Sequence, residues 1–272
     1  MMSPRTVGVV GVGAMGAPIA GHLSGAGHPL MVVDRDATAA AATGMRVAGS
    51  TAALASECDV VIVAVDDDDA VLDVVGGILD ADADCTVLIC STVSPSTVQS
   101  LGERAVGLHT RLLDAAMVGG IRGVLAGALT LLVGGDPDVL DSVRDELRPW
   151  TAVVHHLGPL GAGQVAKSAS NLIHWAQVCA IEEAFRIVER SGLSVSAVRR
   201  ALQDGPADSR ALRELDQMRL SWWRKDLDGS SALAATVGAP HRMGDLCAAL
   251  MPHIGVDELA ALLAAGEGNS HA

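Results

Sequence analysis

The 272-residue chain predicts an α/β fold, with a doubly wound sheet in its first half and an all-α domain built on one long helix in its second. Three observations carry that expectation. Short apolar runs alternate with helix-like segments from residue 6 to 154, the first run feeds a glycine triplet that opens a helix, and beyond Gly158 every periodic segment has helical spacing. The length suits two ordinary domains, expected at 1–157 and 158–272.

The first run, residues 6–10, ends in Gly11-Val12-Gly13-Ala14-Met15-Gly16; residues 17–26 have helical composition, and the next run, Leu30–Val33, closes on Asp34. Strand, Gly-x-Gly-x-x-Gly, helix, strand and acid in that order are the fingerprint of a Rossmann dinucleotide site. Gly11 permits the tight turn, Gly13 lets backbone approach a pyrophosphate, and Gly16 lets helix and strand pack closely. The phosphates then sit at a helix N-terminus, where unpaired N–H groups and the dipole favour anions. Asp34, 18 residues after Gly16, stands where a carboxylate accepts from ribose hydroxyls and repels a 2′-phosphate, which favours NAD(H) over NADP(H). Arg35 works in either direction, by stacking on adenine or by tolerating the extra phosphate.

Residues 60–65 form a third run, expected to be buried, leading into Asp66-Asp67-Asp68-Asp69, and Thr86–Ile89 a fourth, leading into Ser91-Thr92-Val93-Ser94-Pro95. Ligands of open α/β sheets bind where parallel strands end, so Val65, Asp66, Ser91 and Thr92 are candidates to border a nicotinamide. The acids also suit capping of a helix over 69–75, and a Ser/Thr pair before proline also suits a turn and cap. Next comes Leu113-Asp114-Ala115-Ala116-Met117-Val118-Gly119-Gly120, where successive glycines offer bare N–H groups for a carboxylate or serve as a plain turn. A strand over 128–133, a helix over 137–147 capped by Asp136, and a strand over 152–154 complete the first half.

Past Gly158 a glycine-loosened turn opens the helix Ala162–Arg190, which carries Lys167 and Asn171. Four residues apart, they project from one face about one turn apart, so an ammonium and an amide can address one substrate oxygen. The same helix has a stripe of Val165, Ala169, Leu172, Ala176, Ala180, Ala184 and Val188, which is expected to be covered by the helices predicted at 194–204, 208–222, 226–237, 240–251 and 256–265. Residues 266–272 read as a frayed tail.

Net charge −13 disfavours nucleic acid and anionic membrane surfaces as partners, and no apolar run approaches the ~18 residues of a membrane span. Met1 to Arg5 show no secretion signal ahead of the first strand. Cys58, Cys85, Cys90, Cys179 and Cys247 are odd in number and scattered, as expected of reduced thiols in a cytoplasm, and the nine histidines lack metal-ligand spacing, so no metal is expected.

Gly8 to Ala20 with Ala26-Gly27-His28, then Ser91 to Pro95, Asp114 to Gly120, Gly161 to Asn171 and Lys225-Asp226-Leu227, resemble in order five motifs of the β-hydroxyacid dehydrogenase family. The resemblance implies a Rossmann domain, a helical domain, a small-molecule substrate in a cleft between them, and homodimers or homotetramers. It implies Lys167 as catalytic acid/base with Asn171 as its partner, Gly119 and Gly120 on the substrate carboxylate, and Lys225 near the same cleft. Two departures bear on substrate. Most members have serine where this chain has Val118, and the shortened segment before Lys225 carries Trp222 and Trp223, which either pack the core or line the site for a larger substrate. The reading is therefore an NAD(P)-dependent dehydrogenase interconverting a hydroxyl and a carbonyl on a small acid. Alternatives are imine reduction, reduction of a bulkier molecule, and a non-catalytic dinucleotide-fold module. Lys167 argues against imine reduction and against the non-catalytic module.

Overall fold

The computed structural model describes residues 4–264. The leader reading at Met1 to Ser3, residue 265 of the last predicted helix and the tail at 266–272 lie outside the described residues. The α/β architecture is as expected. Up to Lys167 the chain forms one compact unit, and from Ser168 onward a second.

The first unit runs β1 (Val7–Val10), α1 (Gly16–Gly25), β2 (Leu30–Val33), α2 (Ala37–Ala42), β3 (Arg46–Val47), α3 (Thr51–Glu57), β4 (Val60–Val63), α4 (Asp68–Asp80), β5 (Thr86–Ile89) and α5 (Pro95–Ala105). It continues through β6 (Arg111–Val118), α6 (Gly120–Leu125), β7 (Leu129–Gly135), α7 (Pro137–Ser142), α8 (Arg144–Leu147) and β8 (Thr151–Gly158) into the start of α9 (Ala162–Arg190). One eight-stranded sheet results, ordered β3-β2-β1-β4-β5-β6-β7-β8. The six strands from β3 to β6 in that order are parallel, β7 is antiparallel to β6, and β8 is parallel to β7. The chain winds outward from β1 to β3 and then returns to β4, so the order reverses between β1 and β4, where α/β sheets open a ligand crevice.

The central strands are buried along their whole length, as continuous Val/Ile runs require. Alternate residues serve opposite faces. Val60 and Ile62 join Ile19, Leu23 and Trp150 in one core, while Val61 and Val63 join Leu54, Ile78 and Leu101 in the other. All five cysteines are buried and unpaired. Burial pushes the thiols of Cys58, Cys90 and Cys179 up to about 12 and that of Cys85 to about 11, so they stay protonated and unreactive at neutral pH.

Several local expectations change. The helix expected at 137–147 breaks at Val143, whose ψ of 10° separates α7 from α8. Residues 111–118 make a full strand although Asp114 interrupts their apolar pattern. The Asp36 and Ser50 side chains cap α2 and α3, two helices too short to show a periodicity.

The second unit comprises the rest of α9 with α10 (Val195–Leu202), α11 (Arg210–Glu214), α12 (Trp223–Val237), α13 (Arg242–Leu250) and α14 (Val256–Ala264). The helix expected over 208–222 stops at Glu214 and a short 3₁₀ turn, because the Arg199 guanidinium takes the Leu212 and Arg213 carbonyls, at 2.8 Å each. On α9 the predicted stripe holds in part: Leu172, Ala176 and Val188 are half-buried and pack against the helical core. The buried line is Asn171, Trp175, Val178, Cys179 and Phe185, whose bulk buries more area than the alanines do, while Val165, Ala169, Ile173, Ala180, Ala184 and Ile187 lie exposed.

Candidate active site

The glycine loop between β1 and α1 has the shape its residues predict. Gly11 sits at φ +85°, and a Cβ there would lie 2.4 Å from the Ala64 carbonyl oxygen; one on Gly16 would lie 1.8 Å from the Gly11 carbonyl oxygen. Gly13 is different, with no atom within 4 Å of where its Cβ would be. Gly11 thus closes the turn against the segment after β4 and Gly16 closes against Gly11, while Gly13 leaves an open approach. No side chain caps the first turn of α1, which suits a phosphate there.

Asp34, at the end of β2, accepts from the Val12 N–H at 2.7 Å with one oxygen and from the Asp36 N–H at 2.8 Å with the other. Its carboxylate therefore holds the glycine loop. Arg35 reaches across to Asp66, 2.7 Å away, in an exposed pair. Of the other acids in that run, Asp67 caps α4 through the Ala70 N–H, and Asp68 accepts from the Ser94 N–H and the Thr97 hydroxyl. Val65 is half-buried, and its N–H donates to the Ser91 hydroxyl at 2.9 Å. Gly11 to Gly16, Asp34, Arg35, Val65, Asp66, Ser91 and Thr92 all follow the ends of neighbouring parallel strands, and they fit a nicotinamide dinucleotide.

The start of α9 is fastened to this edge by two side chains that sequence reading passed over. Asp114 is fully buried on β6, beside the last residue of β5, and accepts from the Gly161 N–H at 2.6 Å and the Gln164 N–H at 2.9 Å. Burial pushes its carboxyl above the usual carboxylate range, against the downward pull of those N–H groups. Glycines make room for it. A Cβ on Gly134 would meet an Asp114 oxygen at 2.4 Å, and one on Gly163 would meet the Leu132 carbonyl oxygen at 2.2 Å. Gln164, only 2% exposed, accepts from the Val93 N–H at 3.1 Å and donates to the Ser91 carbonyl at 2.9 Å. An acid in a strand and an amide in a helix carry no local signal; their partners lie 47 to 73 residues away.

Lys167 follows Gln164 by three residues and is half-buried; Asn171, one turn further along α9, is buried. Thr92 is half-buried beside Ser91. Val118 ends β6 half-buried, and Gly119 and Gly120 follow at φ +127° and +62°, backbone that favours glycine. In the second unit Trp223 packs against the helical core with Arg224 stacked over its ring, whereas Trp222 is 59% exposed. Lys225 is half-buried, and the neighbouring Asp226 carboxylate accepts from the Trp175 indole at 3.0 Å.

Residues 6–158 match the family described as the NAD binding domain of 6-phosphogluconate dehydrogenase, and residues 161–263 match that described as NAD-binding of NADP-dependent 3-hydroxyisobutyrate dehydrogenase. A Mycobacterium tuberculosis protein named a probable 3-hydroxyisobutyrate dehydrogenase is 36% identical over 197 residues, 71% of this chain and 67% of that one. An NAD-dependent L-serine dehydrogenase of Pseudomonas aeruginosa is 31% identical over 210 residues, again 71% and 67%. The solved structure of M. tuberculosis 3-hydroxyisobutyrate dehydrogenase with L-serine covers 97% of this chain and 96% of its own, with 28% identity and a TM-score of 0.83. The chain that carries this glycine loop, the acid after β2 and the fastened lysine helix thus belongs to the β-hydroxyacid dehydrogenase family, whose members are nicotinamide-dependent oxidoreductases.

Proposed function

We propose that this dehydrogenase interconverts a 3-hydroxyacid and its semialdehyde or keto acid, with Lys167 as acid/base and Asn171 holding the same oxygen. The observation that carries the reading is Lys167 one turn into a helix whose first residues are hydrogen-bonded to the sheet edge through Asp114 and Gln164. The bound nicotinamide supplies or accepts the hydride. The Lys167 ammonium stabilises the charge that develops on the substrate oxygen and then donates its proton; in oxidation the neutral amine takes that proton. Relatives named for 3-hydroxyisobutyrate and for L-serine share a 3-hydroxyacid frame, which supports a carboxylate-bearing substrate. The Gly119 and Gly120 N–H groups would hold that carboxylate, with Thr92 as a further donor and Val118 offering an apolar wall where the family resemblance implies a hydroxyl.

We also propose that NAD(H) is preferred. Asp34 repels a 2′-phosphate, and Asp66 neutralises Arg35, a guanidinium that could welcome one. Oxidation of NADH and of NADPH against semialdehyde acids, larger keto acids, uncharged aldehydes and cyclic imines tests both readings. NADH with the small acids should be fastest. The exposed pair is worth roughly 0.2–1 kcal/mol, so Asp66→Asn should raise kcat/KM for NADPH about 1.4- to fivefold and leave NADH nearly unchanged. Activity confined to imines or uncharged aldehydes would overturn the substrate reading, and a native preference for NADPH the cofactor reading.

The exposed apolar stripe of α9 supports a homodimer or homotetramer formed through that face. Ile173→Glu combined with Ile187→Glu should reduce the light-scattering mass to that of a monomer; an unchanged mass would place the interface elsewhere. The five unpaired thiols support a reducing, cytoplasmic setting.

A further inference from the structure

We infer that Gln164 is a positioning residue for Lys167, tying the loop after β5 to the helix that carries the lysine. The inference rests on the catalytic reading above. Gln164 is the third residue of α9, and its side chain is buried in a place where an amide is costly unless both ends are paired. Both are paired, and to the same short loop: the carbonyl accepts from Val93, and the NH₂ group donates to Ser91. That loop is in turn tied to the segment after β4, since the Ser91 hydroxyl accepts from the Val65 N–H. The Gln164 backbone N–H meanwhile donates to Asp114. One residue therefore joins the segment after β5, strand β6 and the first turn of α9, with the segment after β4 held through Ser91, and Lys167 stands one turn beyond it. Only an amide serves here. The loop presents one donor and one acceptor, and a carboxylate or an alkyl chain of equal length answers at most one of them.

The consequence is a rate effect, because a lysine displaced by about 1 Å from its proton-transfer geometry loses on the order of 10² in turnover. Gln164→Met keeps length and bulk but drops both bonds; it should lower kcat tenfold or more in a protein that remains folded and binds NADH. Gln164→Glu separates positioning from mere packing. As a carboxylate it still accepts from Val93 but sets an anion against the Ser91 carbonyl; once protonated it donates there again. The ratio of Gln164→Glu to wild-type kcat should therefore rise towards one as pH is lowered through the range where the buried glutamate takes up its proton. Loss of packing alone would lower the melting temperature and leave that ratio flat with pH.

Wild-type kcat in Gln164→Met, or a pH-independent ratio in Gln164→Glu, would overturn the inference. Lys167→Ala measured alongside distinguishes the two layers. A dead Lys167→Ala with a fully active Gln164→Met removes the positioning role alone, whereas a fully active Lys167→Ala removes the catalytic reading and the positioning role with it.

Discussion

Replacing Lys167 with alanine should lower kcat by on the order of 10² or more, the scale of a lost general acid/base, while leaving NADH affinity within about twofold. The two halves of that expectation come from different parts of the chain. We assign affinity for the dinucleotide to the Gly11 to Gly16 loop, to the first turn of α1 and to Asp34, which follow β1 and β2, whereas Lys167 stands on α9. Turnover needs a group that stabilises charge appearing on the substrate oxygen only as hydride moves, and an interaction made only then changes kcat rather than binding. Lys167→Arg would be a sharper version. It keeps the charge but cannot act as a base, so it should fall nearly as far in the oxidative direction. Single-turnover kinetics with NADH fluorescence as the binding readout checks both. Unchanged turnover in Lys167→Ala would remove the residue from the chemistry.

Much of this arrangement is legible in one sequence because it is local. The glycine triplet, the strand before it and Asp34 within 24 residues of Gly11 specify a turn whose steric reasons reappear in the structure, down to the carbonyl oxygens that a Cβ on Gly11 or Gly16 would strike. The bounds of α9 are legible for the same reason, since a glycine-rich turn and a long helical period mark them. What fails is information that lies across the fold. Asp114 reads as an oddity in an apolar run, and it becomes a strand residue with a purpose only when Gly161 and Gln164 are brought to it. The buried face of α9 is only partly legible, for another reason. Two apolar lines run along the helix, and which one is covered depends on partners such as Leu212 and Leu227, dozens of residues later. The two tryptophans before Lys225 divide in the same way, Trp223 into the helical core and Trp222 onto the surface, and nothing in their adjacency foretells it.

Asp114→Ala should destabilise the protein by about 2–5 kcal/mol, the largest stability effect expected of a polar side chain described above, and lower the melting temperature by several degrees. Distance alone would not predict this. The Arg35–Asp66 pair is just as short, at 2.7 Å, yet both of its members are exposed, so water takes over either partner when the other is removed. Asp114 is fully buried, and its truncation leaves the N–H groups of Gly161 and Gln164 facing a dry space at the positive end of a 29-residue helix. Burial itself opposes the charge, as the raised carboxyl pKa records, so the aspartate is no free gain. The cost arises because the helix start is built around it. Asp114→Asn should fall between wild type and alanine, since one oxygen still accepts while the new NH₂ group faces a second donor. Gly163→Ala tests the same junction from the other side, because its methyl would press on the Leu132 carbonyl at 2.2 Å and on an Asp114 oxygen at 2.7 Å; it should destabilise comparably without touching any charge. Thermal unfolding followed by circular dichroism ranks the three. An Asp114→Ala protein that melts with the wild type would show that α9 is held at its start by something other than this carboxylate.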